Sequence, residues 1–180
     1  MRSDELTLEQ FTTAEQVGPE LREALIECWI AVSNAGGAAG FPFPPVDADE
    51  VAPAADRLID GLDHLWSRLV VAFVEGGVAG WVTLHRERHP LVSHWATVRH
   101  LQSHPRFQGR GIGTAIMRRL QEIARDELGL DQLHLAVRGG VGLEDFYRRL
   151  GWRVVGTWPN ALRLTDNDLR DEILMVLDPV

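Results

Sequence analysis

Two short segments hold the residues whose types and spacing suit chemistry. Gln108-Gly109-Arg110-Gly111-Ile112-Gly113-Thr114 joins the end of an extended run to the start of an amphipathic helix. Glycines there let successive backbone N–H groups turn toward one point, and a helix N-terminus adds partial positive charge. The product is an anion site made of main chain, suited to a pyrophosphate. The second segment, Phe146-Tyr147-Arg148-Arg149-Leu150-Gly151-Trp152, holds the only tyrosine of the chain. A phenol of ordinary pKa ~10 stays protonated at neutral pH and can donate a proton to a strongly basic group.

Rival phosphate loops fit less well. A P-loop needs Gly-Lys-Ser/Thr, and no lysine occurs here. A dinucleotide fingerprint needs Gly-x-Gly-x-x-Gly at the opening of a βαβ unit, whereas these glycines fall at 109, 111 and 113 after two helices and a meander. Asp131 does lie about twenty residues on, where a ribose-binding acid belongs.

The elements that must hold these segments follow from periodicity. Leu21, Leu25, Ile26, Trp29, Ile30 and Val32 predict a helix over 14–33, stopped by Asn34-Ala35-Gly36-Gly37. A loop with Gly40, Phe41, Pro42, Phe43, Pro44 and Pro45 follows, and Asp47 with Glu50 has capping-box spacing for a second helix. Strands are expected at 69–75 and 78–85 about the turn Glu75-Gly76-Gly77, and at 94–103, ended before Pro105. A helix at about 113–128, stopped by Gly129, leads to a strand at 132–137, a short helix at 143–150 and strands at 152–157 and 173–177. This order suits an α/β (α+β) mixed sheet with helices on both faces, in one domain over 1–180.

The two segments resemble the signature motifs of the GNAT superfamily, the acetyl-CoA-dependent N-acetyltransferases: Gln/Arg-x-x-Gly-x-Gly/Ala, then Phe/Leu-Tyr-x-x-x-Gly-Phe. The resemblance covers about 68–180 and implies a mostly antiparallel sheet of about six to seven strands. It implies that the strand ending Leu101-Gln102-Ser103 splays from the 132–137 strand, with the pantetheine arm bonded to backbone at 101 and 103. A backbone N–H near Ser103 would then face the oxyanion, the amides of 108–113 the pyrophosphate, and Tyr147 the sulfur. A fainter likeness, to acetyltransferases of tabtoxin resistance, rests on Gly36-Gly37-Ala38-Ala39-Gly40-Phe41, Leu133-His134-Leu135 and Phe146-Tyr147, and hints at a small acceptor.

Two departures from the family pattern matter. Arg138-Gly139-Gly140-Val141-Gly142 stands where members carry an asparagine, and no carboxylate occurs at 94–104. The routes left for deprotonating an acceptor are a water relay, His100, His104, or Asp171/Glu172. Candidate acceptor residues are Asn34, Phe41, Phe43, Trp158 and Glu172, with the acidic surface favouring a cationic approach. Trp81, Trp95 and Trp152 are expected to pack the sheet.

Composition narrows the partners. A net charge of −8 argues against a nucleic-acid partner, and the local run Arg106, Arg110, Arg118, Arg119 and Arg125 suits one small polyanion. Cys28 is the only cysteine, reads as core packing, and with the lack of a signal-like N-terminus or apolar span points to a cytoplasmic protein without a membrane partner. Seven scattered histidines lack ligand spacing, so no metal is expected. The reading is acetyl transfer from acetyl-CoA to a small-molecule primary amine, by direct attack in a ternary complex. A homodimer is left open, and the alternatives are an acyl-CoA-binding sensor and a protein or peptide N-acetyltransferase.

Overall fold

Strands β1 (Thr7–Phe11), β2 (Ser67–Val74), β3 (Gly77–Arg86), β4 (Trp95–Ser103), β5 (Gln132–Arg138), β6 (Arg153–Thr165) and β7 (Asp168–Leu177) form one sheet in the order β1-β2-β3-β4-β5-β7-β6. Every neighbouring pair is antiparallel except β4 with β5, which is parallel. The computed structural model describes residues 5–37, 40–41 and 44–180. Phe43, expected at the acceptor pocket, lies outside the described residues.

Helices cover both faces. α1 (Pro19–Asn34) and α2 (Ala48–Asp60) pack on Leu69, Val71 and Trp81. α3 (Ile112–Glu122) and α4 (Leu143–Arg148) share the opposite core with Val70, Ala72 and Val82. Burial on two sides explains why β2 reads as a continuous apolar run instead of an alternating one. At Gly80 an added Cβ would collide with the Gln102 carbonyl and stand 3.0 Å from Ile116, so the glycine lets α3 rest directly on β3.

The expected elements are found, with four corrections. α1 starts at Pro19, whose fixed φ suits a first helical position, and Ala14–Gln16 is a separate 3-10 turn. The helix after the glycine loop is α-helical only to Glu122; Ile123–Glu127 widens into a π-turn. β1 was not anticipated, because five alternating residues at an edge carry little signal. The last two strands are far longer than 152–157 and 173–177. A shift of register between Trp158 and Leu162 absorbs Pro159 and a left-handed Asn160 (φ 53°), so the hairpin continues past residues that read as a loop. The α2 capping box forms as expected: Asp47 accepts from the Asp49 and Glu50 amides, and Glu50 accepts from the Asp47 amide at 3.2 Å.

Candidate active site

Strand β4 is built to part from β5. The two pair only through Trp95–Thr97 and Gln132–His134. Beyond that point Thr83 faces Arg99 while Trp81 faces Gln102, so His100 and Leu101 together oppose the single residue Val82. This is a β-bulge, and His100 takes a left-handed φ of 57° to make it. The imidazole is wedged against Trp29 at 5.1 Å and Trp81 at 6.1 Å, and Phe41 stands edge-on to Trp29 at 5.1 Å. The bulge bends β4 away and opens a cleft of about 1380 Å³ between the strands. That exceeds the ~300–1,000 Å³ of a single drug-sized site and leaves room for two ligands end to end.

One wall of the cleft is an open strand edge. The His104 N–H donates to Ala79 O at 2.9 Å on β3. Peptide groups alternate in direction along a strand, so those of Leu101 and Ser103 point the other way, into the gap. At its end, Gly109 and Gly111 take φ of 76° and 77°, a conformation that brings amides round to the start of α3. Gln108, Gly109, Gly111, Ile112, Gly113 and Thr114 line the cleft. The Arg110 side chain stacks over Phe107 at 5.7 Å, and Arg110 is not among the residues lining the cleft. Gln102 faces inward, 1% exposed, with neither amide atom hydrogen-bonded to protein.

Tyr147 enters from the far side. α4 presents it edge-on to Phe146 at 5.0 Å and Trp152 at 5.9 Å; the residue is 7% exposed and lines the cleft. Burial disfavours the phenolate and pushes the phenol pKa well above its ordinary value. The hydroxyl therefore stays protonated throughout the working range.

The acceptor residues divide. Phe41, Trp158 and Glu172 line the cleft. Asn34 does not: its Oδ1 accepts from the Val46 N–H at 2.7 Å and its Nδ2 donates to Val46 O at 3.0 Å. That two-point clip fixes the α1–α2 connection, so the expected substrate role of Asn34 is replaced by a structural one. His104 is also withdrawn, since its Nδ1 accepts from the Arg106 N–H at 3.1 Å to close a turn. His100 lines the cleft with Nδ1 buried and unpartnered, and burial followed by Arg99 keeps its pKa low. Trp81 and Trp152 are buried as expected, whereas Trp95 lines the cleft, stacked on His134 at 4.2 Å. Cys28 is 1% exposed and burial pushes its thiol up to about 12, which suits packing and not nucleophilic attack. Sequence reasoning missed Arg99, Arg138, Arg153 and Arg163, which also line the cleft. No motif or spacing marked them, because only the sheet order brings their strands together.

Residues 19–152 match the acetyltransferase (GNAT) family, and the chain belongs to that family. Among curated relatives, Elongator complex protein 3 of Dictyostelium discoideum is 39% identical over 59 residues, 33% of this chain and 10% of that protein. The tRNA uridine(34) acetyltransferase of Dehalococcoides mccartyi (strain CBDB1) is 44% identical over 48 residues, 27% of this chain and 10% of that protein. The chain thus spans about a tenth of the length of the curated relatives it matches. Solved structures agree over nearly the whole chain. A GNAT-family acetyltransferase from Streptococcus pneumoniae has a TM-score of 0.74 at 16% identity, covering 98% of this chain and 100% of the other. A putative acetyltransferase from Salmonella typhimurium, solved with its cofactor acetyl-CoA, has a TM-score of 0.72 at 18% identity, covering 97% and 94%. A ribosomal-protein-alanine N-acetyltransferase from Brucella melitensis has a TM-score of 0.71 at 18% identity, covering 96% and 99%. At such identities the likeness shows the fold, a seven-stranded and mostly antiparallel open sheet with helices.

The family uses acetyl-CoA, and the residues present fit it. The open edge at Leu101 and Ser103 matches an amide-bearing arm, and the left-handed glycines ahead of α3 match a pyrophosphate.

Proposed function

We propose that the chain transfers the acetyl group of acetyl-CoA to the primary amine of a small molecule, by direct attack in a ternary complex. One observation carries the reading: the glycine loop, the open edge of β4 and Tyr147 all border a single cleft. Acetyl-CoA, when bound, supplies a thioester carbonyl open to an amine. The amides of 108–114 hold its phosphates, and the edge at Leu101 and Ser103 takes its arm as an added strand. The Ser103 N–H donates to the carbonyl oxygen as that atom gains charge. Tyr147 donates a hydrogen bond to the departing sulfur.

Phe41 from the α1–α2 connection and Trp158 from the β6–β7 hairpin border the same cleft as Tyr147. Apolar walls from two separate elements favour a small acceptor over a long extended one. Among the described residues no helix is long and apolar enough to cross a membrane, and a cytoplasmic setting suits the reduced Cys28. The test is CoA release from acetyl-CoA with a panel of small amines, amino acids, antibiotics and peptides. Turnover with a small amine is expected. Acetylation confined to long peptides would overturn the acceptor class, and tight acetyl-CoA binding without any turnover would favour a sensor.

A further inference from the structure

Charge inside the cleft runs against the charge of the molecule. The chain carries a formal −8, yet among the described residues the permanently charged ones lining the cleft are Arg99, Arg138, Arg153 and Arg163 against one carboxylate, Glu172. Arg153 has an ion-pair partner in Asp178 at 3.9 Å. Arg99, Arg138 and Arg163 have no hydrogen-bond or ion-pair partner among the described residues.

Strand geometry places two of these guanidiniums on one face. Thr97 and His134 are register partners and share a side of the sheet. Arg99 lies two residues past Thr97 and Arg138 four past His134, so alternation keeps both on that side. The start of α3, with the phosphate loop, packs on the opposite side through Ile112 and Ile116. The pair therefore faces away from the place suited to the cofactor's phosphates.

Arg138 is also half-buried. Nearby carboxylates offset it only in part: Asp168 attracts it from a distance but is held by Arg170 through two hydrogen bonds, and Glu172 is the β7 register partner of Arg138 without an ion pair forming. A partly desolvated cation lacking a partner is costly, and an incoming oxyanion relieves it. A guanidinium also presents a planar fork that matches a carboxylate or phosphonate-type group in two-point geometry.

We infer that the acceptor carries an oxyanion, a carboxylate or a phosphonate-type group, a few bonds from its amine, and that Arg138 and Arg99 bind it. This rests on the acetyl-transfer reading and names the class of its acceptor. It reverses the expectation of a cationic acceptor drawn from overall charge.

The experiment compares amino acids with their carboxamides and with the decarboxylated amines of matched size. Binding to the protein–CoA complex is read by calorimetry and transfer by CoA release. The acids should bind and react at least about tenfold better. Arg138→Gln and Arg99→Gln should each lower kcat/KM for the acids about 10- to 100-fold, mainly through KM, with acetyl-CoA affinity within about twofold of wild type. Arg138→Lys should recover part of the loss. Equal binding of acids and amides overturns the inference. So does weakened acetyl-CoA affinity in Arg138→Gln, which assigns the guanidinium to the cofactor. Efficient turnover of neutral amines alone sinks this inference while acetyl transfer stands. No turnover with any amine counts against acetyl transfer, and the calorimetric preference still decides the oxyanion.

Discussion

Tyr147 shows how burial tunes a single residue for one task. A phenol pushed above its ordinary pKa is a weaker acid than a thiol of pKa ~8.5, so complete proton transfer to the leaving sulfur is uphill. On the proposed reading, the hydroxyl would offer a hydrogen bond to a thiolate that solvent later protonates. Tyr147→Phe should keep the fold and acetyl-CoA affinity while kcat falls about 100-fold or more, the usual scale for a lost donor. Wild-type turnover in that variant would assign the sulfur to water or another group. At Gly111 the backbone φ is 77°, and open space surrounds the position of a Cβ. Gly111→Asp should abolish acetyl-CoA binding through strain and through a negative charge beside the phosphates. Calorimetric affinity equal to wild type in the folded variant would contradict that. The places of these two residues at the cleft were legible in the sequence because each belongs to a contiguous motif. Asn34 was misread for the opposite reason: its partner is the main chain of Val46, twelve residues away and unmarked by any side chain.

At the scale of elements, the bulge in β4 is coupled to a buried polar chain across three strands. Thr83 Oγ1 donates to Arg99 O at 3.1 Å, so it accepts from His85 Nε2 at 3.1 Å, which leaves Nδ1 to accept from the Ser67 hydroxyl at 3.4 Å. The network thereby assigns the neutral Nε2–H tautomer. Burial, with Arg99 and His100 next, lowers the His85 pKa to about 4. The unfolded chain binds a proton near 6.5 where the folded chain does not, so stability is complete above that pH and declines as pH falls from 6.5 to 4. The loss from His85 should reach about 3 kcal/mol, read as a falling urea midpoint, and His85→Gln should flatten that limb. A midpoint constant from pH 7 to 4 would refute the neutral buried imidazole. None of this was visible in the sequence, where His85 reads as one of the scattered histidines and His100 only as a candidate proton carrier. The splay itself was expected only through the family resemblance. Its physical cause, one extra residue between Arg99 and Gln102, has no periodic signature, because a bulge shifts alternation without changing composition.

The whole molecule sets the electrostatic problem of the reaction. An alkylammonium of pKa ~10.4 must lose its proton before attack, which costs about 4–5 kcal/mol at neutral pH. No carboxylate stands on β4, and His104 is committed to its turn. The cleft offers two other aids. On the proposed reading, Arg99, Arg138 and Arg163 would bring positive charge toward the amine and lower its pKa, which no reading of a net −8 foresees because the sheet order alone gathers them. His100 Nδ1 and both amide atoms of Gln102 are buried polar groups without protein partners at the bulge, the kind of group that binds ordered water and passes a proton to solvent. Deprotonation should therefore need no dedicated base. kcat/KM for wild type, Glu172→Gln and His100→Asn should rise with pH toward the free acceptor's own pKa, kcat should rise toward an apparent pKa below it, and kcat should stay within about tenfold in each variant. Asparagine suits position 100 because it tolerates the left-handed backbone. Arg138→Gln should move the apparent pKa upward, since one cation near the amine is gone. A fall of several hundredfold in Glu172→Gln or His100→Asn, with the acidic limb abolished, would identify a true base and defeat the relay.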